Sequence, residues 1–146
     1  MKLRRSQRGQ DLVEFALLLP ALLLLLLLVG EGGAMVWTYE VLNNAAREGA
    51  RLAVVPGEQS QSADVVNRVI AYAQANGVTL SGGNISVNQN RLISPGGGAC
   101  SAANPCLSAS QVSISYSYAL VYLPRLPFGI ATTVPLGASV EMRNFY

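Results

Sequence analysis

The chain has 146 residues, about half of them apolar and an eighth charged, and ten Lys and Arg against eight Asp and Glu leave a net charge of +2. That length holds one modest domain plus an anchor, and the small net charge carries no nucleic-acid footprint. There is no histidine, which removes the commonest general base and the commonest metal ligand.

The positive excess lies in Lys2, Arg4, Arg5 and Arg8, ahead of a leucine-rich run. From Phe15 to Val29 no residue is charged; at 1.5 Å per residue that stretch spans roughly 22 Å, short of the ~30 Å hydrocarbon core. Adding Leu12 and Val13 before it and Gly30 through Trp37 after it supplies the length, and then Glu14 and Glu31 fall within or beside the bilayer. The basic residues precede the run, so the N-terminus is expected in the cytoplasm and everything beyond residue 30 outside. Pro20 removes one helix hydrogen bond, and a bend there is expected.

Three readings fit this segment. A secretory signal would be cut after Ala34, with Gly32 and Ala34 as the small residues and Glu31 as an unfavourable neighbour. An uncleaved signal anchor is the second. Neither gives Glu14 a task. In the third, Gly9, four intervening residues and then Glu14, set between a basic leader and an apolar helix, resemble a prepilin peptidase site. Cleavage after Gly9 would leave Gln10 as the new N-terminus and Glu14 as the fifth residue. A carboxylate near the membrane interior costs a few kcal/mol and usually has a partner; the free amine of Gln10 on a neighbouring subunit would be one.

The helical pattern continues until Pro56-Gly57. Gly30, Gly32 and Gly33 are poor helix formers and suggest a soft joint at the membrane surface, while Trp37 and Tyr39 suit the interfacial belt. Ala45, Gly49 and Ala53 recur every four residues, giving a small-residue stripe for a close-packed helix of a neighbour or of the chain's own domain. Arg47 and Arg51 share a face one turn apart.

Together, "GQDLVEFALLLP" and "NNAAREGARLAVV" resemble the TadE-like family of the Tad (tight adherence) system, which builds Flp-type, type IVc pili. The resemblance implies a pseudopilin or minor pilin processed by a prepilin peptidase at Gly9 and Gln10, with Glu14 and Phe15 as recognition and assembly residues. Phe15 stands where Flp-type sites often have Tyr, so an aromatic is kept. Implied partners are other Tad pilins and pseudopilins, inner-membrane platform proteins and membrane lipid. A single pass through the inner membrane, with possible entry into an extracellular pilus, is the implied location.

Beyond "PGEQSQS", the segment "ADVVNRVIAYAQANG" reads as a helix with an apolar stripe of Val65, Val66, Val69, Ile70 and Ala73, ended by Asn76-Gly77. "NISVNQNRLI" reads as a strand and "SPGGGACSAANPCLSAS" as a loop. Within that loop Cys100 and Cys106 suit a small disulfide in an exported domain; reduced thiols are the alternative, and a zinc site would need two further ligands. "VSISYSYALVY" alternates Val112, Ile114, Tyr116, Tyr118, Leu120 and Tyr122 with small polar residues, and "VPLGASVEMR" alternates likewise. Pro135 pushes the latter towards a sheet edge or a late start, and "LPRLPFG" between them reads as a stiff connection. The expected fold is α+β: a long membrane-anchoring helix, then a small antiparallel sheet with a short helix. The expected divisions are a leader over 1–9, an extended helix over 10–55 and an exported domain over 56–146.

An exported hydrolase would need a nucleophile with a base, or paired carboxylates. Past the long helix only Glu58, Asp64 and Glu141 are acidic, on three separate elements, and no G-x-S-x-G or S-x-x-K occurs at an element junction. No catalytic residue, cofactor or metal ligand is assigned. A membrane-anchored binding module remains as the alternative to an assembly subunit.

Overall fold

A computed structural model describes residues 7–55, 62–94, 99–101, 104–121 and 132–144. Helix α1 spans Gln7–Ala53, α2 spans Ser62–Ala75, and three strands follow: β1 (Ile85–Ile93), β2 (Leu107–Ala119) and β3 (Thr133–Arg143). The expected α+β class holds. The leader's Lys2, Arg4 and Arg5, residues 56–61 of the "PGEQSQS" break, and the "LPRLPFG" connection with Tyr122 lie outside the described residues, while Ser62, the last residue of that break, already belongs to α2.

Helix α1 has 47 residues, roughly 70 Å end to end. It passes through Pro20 and through Gly30, Gly32 and Gly33 without an interruption of the helix. Apart from adjacent residues and the helix's own backbone, no atom of the chain lies within 4 Å of where a Cβ would sit on those three glycines, so no close approach accounts for them.

Helix α2 carries Asp64 in its first turn, where the helix dipole favours an anion. It closes in a Schellman motif: Gly77 sits at φ +76°, Val78 N–H donates to the Ala73 carbonyl at 2.9 Å and Gly77 N–H to the Gln74 carbonyl at 3.0 Å. Ala73 and Val78 are both buried, the apolar contact that accompanies this cap. The turn then leads through Gly82–Asn84 into β1, and the Asn84 side chain donates to the Ser115 carbonyl of β2 at 3.0 Å.

The sheet is antiparallel in the order β1-β2-β3. Between β2 and β3 the register is unbroken from Ala109↔Arg143 to Ala119↔Thr133; between β1 and β2 it slips between Asn88 and Arg91. Pro135 lies on an edge strand, as its missing N–H requires. Strand β2 begins at Leu107, so the "CLSAS" end of the expected loop is already paired: Leu107, Ser108 and Ala109 face Ile93, Leu92 and Arg91.

Alternation along β2 sends Val112, Ile114 and Tyr118 to the buried face, while Ser115 and Ser117 are exposed. Helices α1 and α2 cover the buried face, α1 lying over β2 and β3 and α2 beside it. The shared core joins Leu42, Ala45, Ala46 and Ala50 of α1 to Val65, Val69 and Ala73 of α2 and to Val112, Ile114 and Ala138 of the sheet. On the opposite face the sheet is laced by polar side chains: Ser113 and Ser139 hydroxyls are 3.0 Å apart, Gln111 Nε2 donates to Ser139 at 2.9 Å, and Arg91 pairs with Glu141 at 3.0 Å.

At Gly49 α1 packs tightly on α2: a Cβ added there would run into Val69 Cγ2. Gly49→Ala is therefore expected to destabilise the domain by about 1–3 kcal/mol through overpacking, despite the ~1 kcal/mol helix-propensity gain of Ala over Gly. Denaturation of the detergent-solubilised chain followed by circular dichroism checks this, and Val69→Ala in the same chain should recover part of the loss.

Candidate anchoring and assembly helix

Every residue from Gly9 to Gly30 is exposed. The most apolar window of α1 has a mean hydropathy of 2.9 and none of it is buried in the protein. From Gly9 to Gly30 the helix rises roughly 32 Å, which fits a hydrocarbon core of ~30 Å. One helix is thus long and apolar enough for a single membrane pass. Gly9, Gln10, Glu14 and Phe15 all lie on its exposed first turns, and nothing surrounds Gly9 within 4 Å of a Cβ position.

The exposed stretch ends abruptly at Glu31, whose residue is only 4 % exposed. One carboxylate oxygen, Oε1, accepts the Tyr118 hydroxyl at 2.9 Å and the Val121 backbone N–H at 3.0 Å. A carboxylate removed from water costs far less when such donors face it, because charge-assisted hydrogen bonds replace part of its hydration. Glu31 therefore ties the bottom of the head to the helix at the point where the exposed apolar run stops.

A second polar tie lies at the other end. Ser110 is fully buried, with its hydroxyl 3.2 Å from the Ala53 carbonyl and 2.8 Å from Asn144 Oδ1. Ala53 is the last residue of α1, so this hydroxyl meets one of the carbonyls that a helix end leaves without an intrahelical partner. Both ties are made by β2, which runs opposite to α1. From Glu31 to Ala53 the helix rises roughly 33 Å, and from Ser110 to Val121 an extended chain covers about 36 Å. The two elements are matched in length and joined at both ends.

Ala45, Gly49 and Ala53 are buried, against α2 and the sheet of the same chain. The small-residue stripe thus serves the domain's own packing. Arg47 and Arg51 are exposed and, among the described residues, have no ion pair; the adjacent acid, Glu48, pairs with Arg68 at 2.6 Å. Trp37 and Tyr39 are largely exposed above the span. Cys100 and Cys106 are joined as a disulfide, with 5.4 Å between their Cα atoms. No group of three or more His, Cys, Asp or Glu side chains comes together among the described residues.

The sequence reading gave Glu31 no role, although a signal was present. Stepping back by seven residues from Ala45 along the buried stripe reaches Thr38 and then Glu31, so helical periodicity already put this acid on the head-facing side. Its partners lie 87 and 90 residues away, beyond the reach of any local pattern.

Residues 9–51 match the family model described as TadE-like protein. No curated protein and no solved structure shows a significant match. The matched segment begins at Gly9, takes in the whole exposed run and Glu31, and ends within the part of α1 that packs on the head. The match covers 43 of the 146 residues, less than a third of the chain and all of it within α1.

Glu31→Leu is expected to cost about 1–3 kcal/mol by leaving the Tyr118 hydroxyl and the Val121 amide without this acceptor. The check is amide hydrogen exchange, which should accelerate at Val121 and not at the Ser110 end of β2. Tyr118→Phe should have a smaller effect, since the Val121 bond remains.

Proposed function

We propose that the protein is a pseudopilin or minor pilin of a Tad pilus system. It is inserted with its head on the outer side of the inner membrane, cut after Gly9 by a prepilin peptidase, and assembled through its N-terminal helix with other Tad pilins or platform proteins. The observation that carries this reading is the undivided helix: a bare apolar rod of membrane length, continuous with a small head. A rod held rigidly to its head can deliver that head to a defined position in a bundle. Gly9, at the start of the matched segment, is then the last leader residue, and Glu14 is free to receive the Gln10 amine of a neighbour.

The competing cut after Ala34 would remove Glu31, and with it the acceptor of Tyr118 and Val121. A secreted head would start without one of its two polar ties to the helix. An uncleaved anchored module would keep both ties and would tolerate loss of Glu14.

The intact mass of the membrane-extracted protein discriminates among the three, with Gln10, Met35 or Met1 as the first residue. Gly9→Leu is expected to leave the leader attached. Glu14→Gln should be cut normally yet reduce incorporation into assemblies, and wild-type piliation in that variant would remove the pairing role given to Glu14.

A further inference from the structure

Above the membrane span, α1 keeps one face that the head does not cover. It carries Val36, Glu40, Asn44, Arg47 and Arg51, all exposed. Tyr39, Glu40, Asn43, Asn44 and Arg47 line a shallow groove on it. This face continues the exposed surface of the span without a break, so whatever lies beside the span in the membrane also lies beside this strip.

Its charges are separated along the axis. Glu40 lies nearer the membrane, and Arg47 and Arg51 lie seven and eleven residues further out. Among the described residues none of the three has an ion pair. Seven residues correspond to roughly 10 Å of rise with nearly the same angular position, too far for Glu40 to reach Arg47 on its own helix but on the same face.

A second copy of this chain, inserted in the same direction, meets that pattern favourably at an offset of seven residues or of eleven, and of the two the seven-residue offset lies nearer the shift asked for at the N-terminus. At equal height Glu40 faces Glu40 and Arg47 faces Arg47, which is repulsive. Raised by seven residues, the upper copy brings its Glu40 to the level of the lower copy's Arg47. The pairing proposed for Glu14 with the Gln10 amine asks for a shift in the same sense, by four residues. The two differ by three residues, about 4.5 Å, which the length of an arginine side chain spans.

We propose that this strip is a homotypic docking surface that sets an axial offset, with Glu40 of an upper copy paired to Arg47 of the lower one. The proposal rests on the assembly reading above. Charge attraction of this exposed kind sets register more than it sets affinity.

The test uses two differently tagged full-length copies in membranes of cells carrying their own assembly system. One copy carries Val36→Cys and the other Asn43→Cys, which keeps Glu40 and Arg47 intact and repeats their seven-residue spacing. A short bismaleimide should link this mixed pair well above the Val36→Cys pair with itself. Glu40→Arg or Arg47→Glu added to both copies should cut the linked fraction roughly threefold, and the double reversal should restore it. Co-purification of the two tags without preferential 36–43 linkage, or linkage indifferent to the charge reversals, overturns the offset while leaving assembly standing. Absence of both linkage and co-purification overturns the offset and the homotypic assembly together.

Discussion

The hydrogen bonds that Tyr118 and Val121 donate to Glu31 are the constraint on which the molecule's shape depends. A long helix with three glycines at the end of its exposed apolar run has every local reason to bend there, since glycine is a poor helix residue and no other part of the chain packs against these three. A buried carboxylate placed among them draws the end of β2 down to the same level. The head is thereby seated directly above the apolar run. With the Ser110 tie at the far end, the outer half of α1 behaves as one edge of the domain as well as the stem beneath it.

This dual use explains the composition of α1 from end to end. The N-terminal half shows Leu, Val and Phe in every direction, and the rest of this chain leaves it uncovered. The outer half must lie flat on β2 and β3 while also admitting α2, and side chains as small as those of Ala45, Ala46, Gly49 and Ala50 make that close stacking feasible. Its remaining face keeps the charges. A single uninterrupted helix thus presents three surfaces: a bare apolar one, one packed on the head and one that keeps the charges.

Much of this was legible in the sequence because it is local. Helical spacing marked Val65, Val69 and Ala73, the Asn76-Gly77 stop marked the end of α2, and alternation from Val112 to Tyr118 marked the buried face of β2. Pro135 pointed correctly to an edge. The residues that fell short did so for physical reasons. Leu107 to Ala109 sit among loop-forming neighbours and become strand only because β1 and β3 are there to pair with them. The small-residue stripe fits a partner helix equally well from within or from outside the chain, and only Val69 against Gly49 decides between them. Glu31 was obscured by its setting: beside an apolar run, an acid reads as the end of the membrane rather than as a core residue. The matched family segment follows the same division, covering the helix and stopping before the head, whose β2 supplies the partners of Glu31.

The opposed directions of α1 and β2, tied at both extremities, have a mechanical consequence. A pull on the head along the stem loads the Glu31 and Ser110 ties together, in shear, with the packed face between them sharing the strain. Peeling, in which bonds fail one after another from a free end, has no loose end of β2 from which to start. A protein built this way is stiffest along its own axis and yields first to a sideways force on the head.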